Sequence, residues 1–139
     1  MKYILPLLLI VLFSTASLAQ DVLLPVKTDK GIGFINQAGK MIIKPKYDET
    51  YGFISFGTYA QNNIAPVRVG DKWGFIDRKG MIMIKPSFEE VYTPREGLSP
   101  VKYSGKWGAI NEKGKMVITP VYDRMSAFDG GYLRFCVTL

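Results

Sequence analysis

From about residue 20 onward, the hydrophobic positions of this chain fall in short runs closed by Gly, Asn, Asp or Pro. No window places apolar residues at i, i+3, i+4 and i+7, so the pattern predicts strands and turns rather than helices. Val67-Arg68-Val69 and Val101-Lys102-Tyr103 alternate as half-buried strands do, and Gly70-Asp71 or Ser104-Gly105 follows. Small residues of that kind suit a tight hairpin turn with positive φ. A returning strand is predicted over residues 73–76 and 107–110. Asp77-Arg78-Lys79-Gly80 and Asn111-Glu112-Lys113-Gly114 come next, with the chemistry of a type I turn closed by a glycine bulge. Asn36-Gln37-Ala38-Gly39 repeats it. A third run, residues 81–84 or 116–118, is apolar without alternation, which predicts a strand covered on both faces. Proline follows and is expected to stop the ladder, because it has no N–H to donate.

These pieces recur in register. Gly33, Gly74 and Gly108 are each followed twelve residues later by a proline, Pro45, Pro86 or Pro120, and preceded eight residues earlier by Pro25, Pro66 or Pro100. The spacing is 41 residues between the first two copies and 34 between the last two, the difference being ascribed to an insertion within residues 51–63. The expected fold is all-β, with tandem three-stranded antiparallel meanders over about residues 23–48, 64–89 and 98–123 and a partial fourth unit at 131–139. A single meander is marginal alone, whereas stacked neighbours bury each other's aromatic residues. Trp73 and Trp107 are expected in the core between units, packed on Tyr47, Phe88 or Tyr122.

Lys72-Trp73-Gly74-Phe75-Ile76-Asp77, Lys106-Trp107-Gly108-Ala109-Ile110-Asn111, the glycines Gly80 and Gly114 and the closing Pro-x-aromatic-acid corners at Pro86 and Pro120 resemble the WG (KWG) β-repeat family of exported bacterial proteins. The resemblance covers nearly all of the chain after residue 20. It implies an architecture and an exported setting, with no catalytic residues to carry over. The first copy departs from it, with Ile32 at the tryptophan position, and is expected to act as a cap.

Residues 1–19 have the parts of a secretory signal: Lys2, an apolar run over 4–13 and small residues before Ala19. That run is short for a membrane anchor, which needs about 20 apolar residues. The expected location is periplasmic, cell-surface or secreted. The chain carries a net charge of +6, one unit of it from Lys2 in the leader, which favours anionic neighbours. An exported protein has little access to nucleic acid, which argues against that partner. Cys136 is the single cysteine, so no internal disulfide forms, and beside Phe135 and Val137 it reads as a small buried hydrophobe. There is no histidine, which removes the usual general base and the commonest metal ligand.

The remaining chemistry is sparse. Asp48-Glu49, Glu89-Glu90 and Asp123 follow an aromatic in each copy. Identical filling of one position in three units points to turn capping rather than to acid–base or calcium chemistry. No phosphate loop, nucleophile elbow or Cys-x-x-Cys is present. The composition argues against an enzyme, a cofactor and a metal. Two binding candidates remain: the aromatic residues Tyr51, Phe53, Phe56 and Tyr59 of the insertion, and a basic column of Lys27, Arg68 and Lys102. The expected activity is non-enzymatic binding of a protein or of an anionic or polysaccharide envelope polymer. The alternative is a carbohydrate or cell-wall module, since tandem Trp-bearing hairpins distantly resemble the choline-binding repeats of cell-wall proteins.

Overall fold

The computed structural model describes residues 22–53, 62–125 and 132–138, and the segment 1–19 read as a leader lies outside them. Thirteen strands and no helix are present among the described residues. The first unit is the sheet β1 (Leu24–Thr28), β2 (Gly31–Ile35), β3 (Met41–Tyr47). The two-residue β4 (Glu49–Thr50) then leaves this sheet and pairs with β5 (Ile64–Val69), which continues into β6 (Lys72–Asp77) and β7 (Ile82–Phe88). The third unit repeats this with β8 (Glu90–Val91), β9 (Leu98–Tyr103), β10 (Lys106–Asn111) and β11 (Met116–Tyr122). A last pair joins β12 (Arg124–Met125) to β13 (Phe135–Cys136). Each sheet after the first thus begins with a short strand that follows the unit before it, which ties the repeats into an open array.

The turns are as their sequences dictate. Val69 pairs with Lys72 across Gly70-Asp71, and Tyr103 with Lys106 across Ser104-Gly105. Ser104 and Gly105 both hold positive φ, 50° and 75°, as a type I′ hairpin turn requires. In the second turn the Oδ1 of Asn36, Asp77 and Asn111 accepts the N–H groups two and four residues on. One side chain therefore holds each turn while the glycine takes the left-handed position.

The third strand differs from expectation in two respects. It does not stop at the proline: β3, β7 and β11 run through Pro45, Pro86 and Pro120 to the aromatic beyond. A register shift in each ladder absorbs the missing N–H, with Trp73 opposite Phe88 but Phe75 opposite Ile84. The arch this produces crosses directly over the Trp-Gly glycine. A Cβ on Gly74 would lie 2.5 Å from the Ile84 carbonyl oxygen and 2.7 Å from Pro86 N, and Gly33 has the same surroundings. The strand is also not covered on both faces. Met81 is 64% exposed and Ile82 and Met83 are exposed with it, because this strand forms the outer edge of its sheet.

Two clusters make up the core. One gathers Phe34, Ile43, Tyr47, Phe53, Val67 and Ile76, and the other gathers Trp73, Phe75, Phe88, Val101 and Ile110. Both join residues of successive units. Gly80 closes its turn against the Ile43 side chain, and Gly114 closes against Ile84, at 3.0 Å from an added Cβ in each case. Cys136 is exposed rather than buried, since β13 pairs with the short β12 alone among the described strands.

Candidate binding surface

The recurrent carboxylates are structural. Asp48 accepts the N–H of Gly70 and Glu89 that of Gly105, so each caps the hairpin turn of the following unit, and Asp123 accepts that of Thr138 after β13. Glutamate is one methylene longer than aspartate and reaches the second turn residue instead of the first. Among the described residues, no group of three or more His, Cys, Asp or Glu could hold a metal ion.

The basic column is largely engaged within the fold. Arg68 on β5 forms an ion pair of 2.9 Å with Glu49 on β4, and Lys102 on β9 one of 2.6 Å with Glu90 on β8. The hydrogen bond that Lys102 donates to the Glu90 carboxylate raises the Lys102 pKa. Lys27 holds the equivalent place on β1 and has no ion pair among the described residues. Lys106 pairs with Asp123, which lowers the carboxyl pKa together with the Thr138 N–H.

The aromatic candidates separate. Tyr51 stacks on Trp73 with centroids 4.8 Å apart, and Tyr92 stacks on Trp107 at 5.3 Å. Each tyrosine stands six residues after its unit's proline, so Tyr51 belongs to the repeat and not to the insertion. Burial raises its phenol pKa, with Glu49 adding to the shift. Both tryptophans are 6% exposed; Phe88 and Tyr122 are their ladder partners, but the stacking face is given to the tyrosine of the preceding unit. Phe53 is fully buried, edge-on to Phe34 at 5.1 Å, and is a core residue rather than a surface contact. Its counterpart is the fully buried Pro94, eight residues after Pro86. The insertion therefore begins after Phe53. Phe56 and Tyr59 lie outside the described residues.

A surface that sequence reasoning missed lies on the outer strands. Met41 and Ile42 on β3, Ile82 and Met83 on β7, with Met81 just before it, and Met116 and Val117 on β11 are all exposed. Exposed lysines bracket the first two groups, Lys40 and Lys44, Lys79 and Lys85, and precede the third, Lys113 and Lys115. The signal was present as apolar runs preceded by lysine in segments free of acids.

The chain matches the family described as WG containing repeat over residues 32–73, 73–107 and 107–137. It belongs to the WG-repeat family. The first two matches run from one tryptophan position to the next, so each spans a junction between units where a tyrosine–tryptophan stack and a capping carboxylate lie, and the third runs from Trp107 to Val137. Ile32 opens the first WG repeat in place of tryptophan, opposite Tyr47 in the ladder. No curated protein and no solved structure matches the chain.

Proposed function

We propose that this WG-repeat protein is a non-enzymatic binding module acting outside the cytoplasm, where it holds an anionic component of the cell envelope. The observation that carries this reading is the division of labour among recurrent residues. The repeated acids cap turns or pair with bases, and the tryptophans are stacked under tyrosines, which leaves the apolar and lysine side chains of the outer strands as a recurrent exposed feature. Exposed contiguous apolar surface with a polar rim marks interaction sites. The leader pattern at residues 1–19 supports export.

A carbohydrate module of the hairpin type would need open aromatic platforms, and the stacking of Trp73 and Trp107 speaks against that use. The test is retention of the purified protein on envelope fractions, comprising lipid, peptidoglycan, anionic polymer and membrane protein, against a neutral polysaccharide matrix. Retention on an envelope fraction that weakens as salt rises is expected. Retention on the neutral matrix alone would favour the carbohydrate reading.

A further inference from the structure

The outer strands combine two kinds of group that a simple polyanion site does not need together. Segments 38–47, 79–88 and 113–122 contain seven lysines and no acid, and all seven lysines are exposed and outside any ion pair among the described residues. Lysines alone would suffice for a phosphate polymer. Beside them, however, every unit exposes large apolar side chains: Met41 and Ile42, Met81 to Met83, Met116 and Val117. The turn of each following unit rests on the third strand of the unit before it, Gly80 on Ile43 and Gly114 on Ile84. Met81, next to Gly80, is thus brought beside β3, and Lys115, next to Gly114, beside β7. Exposed apolar groups thus recur at the start of the outer strand in all three units, preceded by lysine each time and followed by lysine in the first two.

Flexible methionine and branched aliphatic side chains flanked by lysines suit the boundary between acyl chains and anionic headgroups, where apolar atoms enter the lipid and ammonium groups stay at the phosphate level. We infer that the exposed apolar and lysine side chains at the starts of β3, β7 and β11 form a docking surface for a bilayer bearing anionic phospholipid. This rests on the envelope-binding reading above and narrows it to lipid. The protein lies on the surface through strand edges, without spanning the bilayer.

The experiment is sedimentation of the full chain with vesicles of phosphatidylcholine alone and with about a third phosphatidylglycerol. The expected result is binding to the anionic vesicles only, falling more than about tenfold between low and high salt. The double variant Met81→Ser, Ile82→Ser alters exposed side chains and should keep the wild-type melting transition while binding anionic vesicles about tenfold more weakly. Substituting Lys44, Lys79 and Lys85 by Gln should have a comparable effect, and Lys27→Gln, on a different strand, should change binding by less than about twofold. Equal binding to neutral vesicles overturns the inference. So does unchanged vesicle binding by the serine variant, or wild-type binding to lipid-free polyphosphate as strong as to vesicles, since either makes the apolar groups irrelevant. Absence from vesicles with retention on lipid-free envelope polymer or protein overturns the lipid assignment alone. Retention on no envelope fraction overturns the binding module as well.

Discussion

Glycine serves two separable purposes in this chain, and they predict different costs for the same substitution. At Gly70 the backbone has φ 63° and nothing lies within 4 Å of an added Cβ, so alanine meets only the left-handed penalty of about 1–2 kcal/mol. Gly74 is different, because an added Cβ would run into the Ile84 carbonyl and Pro86 N, backbone atoms that cannot rotate away. The arch over the glycine would have to lift, opening the ladder between β6 and β7 beside the buried Trp73 and Phe75. Gly74→Ala is therefore expected to lose more than about 3 kcal/mol, in the range of other disruptive core changes. Urea unfolding of the two variants measures the difference, and equal losses would show that the third strand yields at its bulge.

Elements were legible in the sequence to the extent that local chemistry builds them. The Asn or Asp that opens the second turn, the glycine that closes it and the small residues of the first hairpin act within five residues of one another, and each forms as read. What was not legible depends on the neighbouring unit. The apolar third run looked like a central strand because its composition does not disclose that no strand follows it in the sheet. Phe53 looked like a loop residue because its counterpart in the next unit is Pro94, a different side chain filling an equivalent buried place. The same equivalence gives a prediction about the connection. Arg95 and Leu98 exchange backbone hydrogen bonds across Glu96-Gly97, both with positive φ, whereas Asn62 donates to the Phe53 carbonyl across residues 54–61. Replacing residues 54–61 by Asn-Gly supplies the same type I′ turn, and loop shortening of this kind has a modest entropic effect. The melting transition is expected to persist. Extending the replacement to include Phe53 removes a fully buried aromatic and should cost about 3–5 kcal/mol. If both variants melt alike, the first core cluster does not depend on Phe53.

Along the whole molecule the units are joined by ionic links as well as by packing, and these define a window of pH. Asp123 has its folded-state pKa lowered from 3.8, first by the Lys106 ammonium and then by the Thr138 N–H. Its contribution is complete above about 3.8 and disappears as pH falls through the lower folded value. Lys102 is shifted upward from 10.5, first by its hydrogen bond to Glu90, so its contribution is complete below about 10.5 and is lost as pH rises through the higher folded value. Tyr51 acts in the same direction at the alkaline end: burial against Trp73 raises its pKa from 10.0, and ionisation then favours the unfolded chain. Stability should accordingly be level from about pH 5 to about pH 9 and decline on either side. Both ion pairs are open to solvent, so the declines should be shallow and become shallower in salt. Urea midpoints across pH give the profile, and Lys106→Met separates its causes. That variant removes the largest influence on Asp123 while leaving Lys102 and Glu90 in place, so its acid limb should flatten and its alkaline limb stay as in the parent. An acid limb of unchanged slope would mean that the link from β10 to the segment after β11 contributes nothing to holding the third unit against the strand that follows it.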